Sequence, residues 1–316
     1  MNETKSNTRI AGVDVSKPRL DVAVHGSEAM TQVANTPAGH RELLDWLAGH
    51  HVRRVGLEAT GGYERGVVEA LQAAGLEVVL HQPLEVRLFA RIKRLRAKND
   101  RLDARLIALA TAQVDAVKAA ADPRLAELAE RMTAYEQASD LVTLLKTQME
   151  HIRLPDLIDD ARAQLALLTA RKARLAADLQ RRLRLWPDLA HRFDLVRSLP
   201  GVGPIVALGL VIRMPELGAM NRGQASALLG VAPYDRDSGN RKGQRFIGGG
   251  RRRPRRLLYI AALAAKRCDP GFKAFAQRLA TNGKQPKKVI VAIMRKLIEA
   301  ANLVIKRDQP WISLTN

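Results

Sequence analysis

The chain has a single cysteine, few aromatic residues, and no long apolar run. Cys268 alone excludes an intramolecular disulfide and a thiolate-rich zinc centre, implies no redox chemistry, and suits a reducing cytosol. Aromatic residues make up 4% of the chain, so stacking on nucleobases cannot be a dominant mode of recognition. The longest apolar stretches, residues 202–212 and 257–265, fall far short of the roughly 20 residues needed to span a bilayer. The opening MNETKSNTRI is polar rather than signal-like. The expectation is a soluble cytoplasmic protein with no membrane partner.

Acidic side chains are also scarce. Asp and Glu number 32 against 52 Lys and Arg, a net charge of +20, and the pI is near 10.7. That imbalance calls for a polyanionic partner, nucleic acid first among them, although ribosome-associated and membrane-surface proteins share it. With so few rings, phosphate contacts must carry most of the affinity. Apolar residues amount to 47%, which excludes a disordered basic tail. At 316 residues the chain exceeds one ordinary core, so two globular units with a connecting segment are expected.

Residues 9–25 alternate, are rich in Val and Ile, and break at Lys17-Pro18, predicting a hairpin, with a third strand at 30–34. Thr36 and Pro37 predict a helix start, and Leu43, Leu44, Trp46 and Leu47 form its apolar set up to Gly49. A strand over 52–58, a helix after Gly61-Gly62, a strand over 76–80 and a mainly helical stretch over 83–114 follow. Strands in a meander, then strands alternating with helices, fit an α/β domain of the ribonuclease-H type rather than a doubly wound nucleotide binder. From 120 to 190, Leu125, Leu128, Met132, Tyr135, Val142 and Met149, then Leu165, Leu168, Leu175 and Leu179, fall at heptad-like spacing on either side of Pro155. That segment reads as a helical hairpin or coiled coil, either packed on its own domain or serving as a dimerising arm. The last third is helical, interrupted by a Gly- and Arg-rich stretch over 235–256.

Four carboxylates stand out in so basic a chain: Asp14 in IAGVDVSK, Glu58 in VGLEATGGYE, and Asp100 and Asp103 in AKNDRLDARL. Alternation places Asp14 on the strand face that carries Ile10 and Gly12. For Asp14 alone, pairing with a base such as Lys17 is an equal account. Glu58 closes its strand just before a turn, where an acid at a helix start is the competing reading. Asp100 and Asp103, three apart, share one face of a helix about 5 to 6 Å apart at Cβ, where like charges repel unless a cation intervenes. A salt-bridged face with Lys93, Arg94, Arg96, Lys98, Arg101 and Arg105 on that same helix would also accommodate them. Taken together, four oxygen donors without His or Cys nearby favour Mg²⁺ or Mn²⁺, and two such ions can serve both the attacking and leaving oxygens of a phosphodiester.

In the C-terminal third, LPGVGPIVALGL offers Gly201 and Gly203 ahead of a helix, a pattern suited to close approach of a phosphate and also to a plain turn. Ser238 sits in a small-residue turn among Arg236, Arg241, Lys242 and Arg245, followed by Arg251, Arg252 and Arg253. A serine hydroxyl held against a phosphate by guanidinium groups could form a covalent phosphoserine if a base or metal took its proton; a turn serine capping its own backbone is the ordinary alternative. The seven histidines show no metal-ligand spacing and read as surface or satisfied residues.

GVDVSK, LEATGGYE, AKNDRLDA, LPGVGPIVA, APYDRDSG with IGGGRRRPRRLLYIAAL, and GKQPKKVIVAIMRKLIEAANLVIKRDQPW, in this order, resemble the DEDD transposases of bridge-RNA-guided insertion sequences, a group that includes pilin-gene invertases. The resemblance runs from about residue 9 to about residue 311. It implies a RuvC-like domain over 1–115, a coiled-coil dimerisation arm over 116–192 and a mainly α transposase domain over 193–316. It further implies Mg²⁺ held by Asp14, Glu58, Asp100 and Asp103, and attack on DNA by Ser238. Nucleic-acid contacts fall to Lys17, Arg96, Lys98, Arg101, Gly201, Gly203, Arg236, Arg241, Lys242, Arg245 and Arg251 to Arg253. The implied partners are donor and target DNA, a structured guide RNA, and further copies of the chain in a dimer or tetramer. Asn99, Gln82 and Pro254 depart from the family pattern without removing a catalytic side chain, and Pro254 bears on where its helix begins. Two rival readings are a RuvC-type junction nuclease that uses water, and a non-catalytic binding protein whose acids neutralise neighbouring arginines.

Overall fold

The computed structural model describes residues 9–93, 100–115, 122–234 and 245–312. The chain divides into two compact units, Met1–Ala121 and Asp122–Asn316.

The N-terminal unit is built on a five-stranded sheet in the order β3-β2-β1-β4-β5. Its strands are β1 (Arg9–Val15), β2 (Arg19–Val24), β3 (Met30–Ala34), β4 (Val52–Glu58) and β5 (Glu77–His81). The first three form an antiparallel meander, as a tight turn at Lys17-Pro18 dictates, and β4 and β5 join parallel to β1. One face carries Ala11, Val13, Val15, Leu20, Val22, Val55 and Leu57, buried against Leu43, Leu47, Val67 and Leu71 of α1 (Pro37–Gly49) and α2 (Arg65–Ala73). Thr36 caps α1 by accepting from the Gly39 amide at 3.2 Å, as the Thr-Pro pair predicts. The opposite face carries α4 (Asp100–Thr111), which packs across β4, β1 and β2, with α3 (Pro83–Ile92) beside it.

The stretch expected to be helical over 83–114 is two helices, and Lys93 ends the first of them. Lys93 therefore lies off the helix that bears Asp100 and Asp103. Residues 94–99 are outside the described residues, and of the six cations proposed for an ion-paired face Arg101 and Arg105 belong to α4.

The C-terminal unit is helical: α5 (Pro123–Met149), α6 (Pro155–Leu183), α7 (Pro187–Arg197), α8 (Pro204–Arg213), α9 (Arg222–Leu229), α10 (Arg252–Cys268), α11 (Pro270–Thr281) and α12 (Pro286–Arg307). A small hairpin of β6 (Pro233–Tyr234) and β7 (Phe246–Ile247) interrupts it. Eight of the 14 prolines open helices, where fixed φ helps and the missing N–H costs nothing. α5 and α6 form an antiparallel pair, since Arg131 meets Asp178 at 3.0 Å while Glu127, one turn earlier, meets Arg182 at 3.1 Å. Leu128, Met132, Leu179 and Leu183 at the root of this pair belong to the same core as α8, α10 and α12. The Gly- and Arg-rich interruption expected over 235–256 ends earlier than that, because α10 begins at Arg252 and places Pro254 in its first turn. Among the described residues, no helix is long and apolar enough to cross a membrane.

Candidate active site

Asp14 projects from the sheet face opposite the α1–α2 core, as its alternation with Val13 and Val15 requires. Register then gathers polar side chains into one row. Asp14 pairs with Asp21 of β2, Asp21 with Gln32 of β3, and Glu58 with His81 of β5. The β1–β4 ladder aligns Gly12 with Gly56 and Val13 with Leu57, so the next step brings Asp14 level with Glu58. Residues level with each other on neighbouring strands share a face, so a row of Gln32, Asp21, Asp14, Glu58 and His81 crosses the whole sheet.

α4 comes down onto that face because two glycines let it. A β-carbon on Gly12 would lie 2.2 Å from both the Ala104 carbonyl oxygen and the Ala108 nitrogen. One on Gly56 would lie 1.8 Å from Thr111 Oγ1. Asp14 stands two residues beyond Gly12 on β1, about 6.6 Å along the strand, and Asp103 adjoins Ala104 on the helix. The Gly12–Ala104 contact therefore brings Asp14, Glu58 and the first turn of α4 to one region of one face. Asp14, Glu58 and Asp103 are half-buried and none of them lacks an interaction partner. Asp100 is the first residue of α4, and its side chain lies outside the described residues. Among the described residues no group of three or more His, Cys, Asp or Glu side chains is arranged to hold a metal.

The reading of Glu58 as a helix-start acid gives way to Glu64. The Glu64 carboxylate accepts from the Gly62 amide at 2.8 Å and from Thr60 through its amide at 3.2 Å and its hydroxyl at 2.8 Å. Burial by itself would raise its pKa, and these hydrogen bonds outweigh burial and hold it below the usual carboxylate range. Glu58 instead ends β4 within the polar row.

Sequence reasoning misses Asp21, and reads His81 with the other histidines as a surface or satisfied residue. Asp21 is buried, accepts from Gln32 Nε2 at 2.7 Å and pairs with Arg19 at 3.3 Å. An acid inside the apolar alternation RLDVAV was the available signal. His81 is buried, with Nε2 2.8 Å from Thr111 Oγ1, so it fits the reading of the histidines as satisfied. Burial lowers its pKa, against a smaller opposing effect of Glu85.

The proposed nucleic-acid residues divide. Ser238, Arg236, Arg241, Lys242, Arg96 and Lys98 lie outside the described residues, as does the side chain of Arg101. Lys17 is exposed in the β1–β2 turn. Gly201, at φ +74°, serves packing: a β-carbon there would meet the Ala261 oxygen and Ala265 nitrogen of α10 at 2.4 Å. Gly203, the N-cap of α8, faces open space. Arg245 leads into β7 and is not without a partner. Arg251 holds Glu216 through two nitrogens at 2.6 and 2.7 Å and donates to the Arg213 carbonyl. Arg253 pairs with Glu136 of α5. Arg252, between them, is exposed and has no ion pair among the described residues.

Residues 11–154 match a family model described as a transposase, the DEDD type of IS110, and residues 193–277 match the model "Transposase IS116/IS110/IS902 family". The chain belongs to the IS110 family of DEDD transposases. It is 26% identical to a pilin gene-inverting protein of Moraxella bovis over 95% of its own length and 96% of the relative's. The corresponding protein of Moraxella lacunata is 25% identical over the same shares. An uncharacterized 42 kDa protein of insertion element IS900 from Mycobacterium paratuberculosis is 32% identical over 34% of this chain and 28% of that protein.

Proposed function

We propose that this transposase is a site-directed DNA recombinase whose Ser238 attacks a scissile phosphate, supported by Asp14, Glu58, Asp100 and Asp103 on a ribonuclease-H-type (RuvC-like) sheet. The observation that carries the proposal is the register that sets Asp14 level with Glu58 on the face to which Gly12 admits α4. Carboxylate oxygens from three separate elements are a hard donor set that suits Mg²⁺ or Mn²⁺. A bound divalent ion would supply charge neutralisation at the phosphate and a more acidic attacking hydroxyl.

In the proposed step the Ser238 oxygen bonds to phosphorus and gives up its proton to a base. The bond from phosphorus to the deoxyribose oxygen breaks, and that oxygen takes a proton. Attack by the hydroxyl of a second strand then restores the phosphodiester and releases the serine. No net hydrolysis occurs, so bond energy is conserved. The functional division we propose is 1–115 for the carboxylates, 116–192 for a coiled-coil arm and 193–316 for the serine. A guide RNA held on basic surfaces would choose the sites, and assembly as a dimer or tetramer would bring the two chemistries together.

Asp14→Asn should abolish recombination of a plasmid substrate while DNA and RNA binding persist, and Ser238→Ala should do the same. Trapping by denaturant and protease should recover DNA linked to a peptide containing Ser238. Hydrolysed ends with no protein adduct would replace this reading with a RuvC-type junction nuclease.

A further inference from the structure

Three aromatic rings, in a chain that has few, meet at one cavity of the C-terminal unit. It has a volume of about 980 Å³, and its lining includes Arg222, Phe272, Phe275, Arg278, Lys296 and Trp311. Two cations lie over the Phe275 ring, Lys296 Nζ at 4.8 Å and the Arg278 guanidinium at 5.4 Å from its centre. Such stacking keeps both cations close to the ring rather than spread in solvent.

The acids of the cavity are already engaged. Glu299 accepts from Arg222 at 2.8 Å and from Arg295 at 3.0 Å. Asp269 caps α11 by accepting from the Phe272 amide at 2.8 Å. Arg278, Lys296, Lys306 and Arg307, all at the cavity, have no carboxylate partner among the described residues. Asn302 spends its amide on the Gly218 nitrogen and the Met220 carbonyl. The Trp311 indole N–H, shielded from solvent, finds no acceptor among the described residues, an uncommon state for a buried donor.

We propose that this cavity receives one unpaired nucleotide of a nucleic-acid strand, with the base among Phe275, Trp311 and the Arg278 plane and the flanking phosphates among Lys296, Lys306 and Arg307. Ring faces beside unpaired cations are what single-stranded segments use, because every base has a π-face and every linkage a charge. The volume admits a nucleotide, being at the upper end of the roughly 300 to 1,000 Å³ of small-molecule sites. An acidic peptide would satisfy the cations and leave the rings without a purpose. A second copy of the chain would bring the same cations to the same place. The site is built from residues of the helical unit and stands or falls without the proposed reaction.

The test uses the full-length protein and labelled octamers of deoxyadenosine and of adenosine, each matched with an octamer carrying abasic positions. Anisotropy titration should show both base-bearing strands bound roughly tenfold tighter than their abasic partners, within the range for one stacked base. Phe275→Leu should bring that ratio close to one. The double substitution Arg278→Gln/Lys296→Gln, at exposed positions that leave the core intact, should weaken all strands and reduce the salt slope by about 1.4. A preference for one sugar identifies RNA or DNA as the source. Equal affinity of the parent protein for base-bearing and abasic strands overturns the proposal. So does an unchanged ratio in Phe275→Leu, or an unchanged salt slope in the double variant. Loss of self-association in the double variant with strand binding intact would assign the surface to a second copy instead.

Discussion

Gly12 and Ala104 approach so closely that a β-carbon on the glycine would sit 2.2 Å from the alanine's carbonyl oxygen. The obstacle is helix backbone, which cannot step aside as a flexible side chain can. Gly12→Ala should therefore lift α4 or unseat it, at a cost of about 1 to 3 kcal/mol typical of overpacking. Melting should fall by several degrees, and recombination should fall further than stability explains, because Asp14 and Asp103 flank the contact. An unaltered melting temperature would show that α4 does not rest on Gly12.

His40 is buried, and its Nε2 lies 2.9 Å from Asn35 Oδ1. The Asn35 amide donates to the Ser16 and Tyr63 carbonyls, so the imidazole must donate in turn. Burial holds the His40 pKa below the ordinary 6.5. The unfolded chain thus binds the proton first as pH falls. Its contribution to stability is complete above about pH 6.5 and is lost below it, toward the lower folded value. Melting curves between about pH 8 and pH 5 should show a shallower decline for His40→Gln than for the parent protein.

Glu299 is buried between Arg222 and Arg295, with Ser226 Oγ at 3.4 Å. Burial alone would raise its pKa, and the two guanidinium hydrogen bonds override burial and lower it below 4.5. That stability is present above about pH 4.5 and drains away as pH falls through the folded value. Glu299→Gln should lose about 1 to 3 kcal/mol at neutral pH by urea titration and should be less sensitive to acid than the parent. Equal losses at neutral and acid pH would show that the arginines do not hold it charged.

Neighbouring arginines in the basic stretch should behave oppositely. Arg251→Ala removes the two-pronged contact with Glu216 and the bond to the Arg213 carbonyl, and should cost about 1 kcal/mol of stability. Arg252→Ala touches no ion pair, and should leave melting unchanged while lowering DNA affinity and reducing the salt slope by about 0.9. Reversal of these two outcomes would exchange their roles.

Much of the fold was legible because prolines and alternation punctuate this chain. Pro37, Pro83, Pro155, Pro187 and Pro286 stand at helix starts, and the three-strand meander follows from the period-two pattern on either side of Lys17-Pro18. The break between α3 and α4 was not legible, since the sequence over 83–114 carries no Gly or Pro after Pro83. Nor were the roles of Gly12 and Gly56, which depend on a helix about 50 to 90 residues further on. Asp21 interrupts the apolar alternation RLDVAV, but its place in a polar row appears only when register is known. Charge density does not reveal that Glu216 and Glu136 lie opposite Arg251 and Arg253.

The ends of the segment that bears Ser238 are firmly anchored. Gly230 and Gly250 touch backbone to backbone, the Arg251 amide donates to the Leu228 carbonyl at 2.8 Å, and Arg255 Nη1 donates to the carbonyls of Gly230 and Gly249. Tyr234 and Phe246 close the hairpin with ring centres 6.2 Å apart. Four peptide units separate Tyr234 from Ser238, so the two Cα atoms can never be more than about 15 Å apart. For the proposed reaction this sets a reach: the scissile phosphate has to be delivered near the anchored hairpin, since chain length alone ties Ser238 to Tyr234.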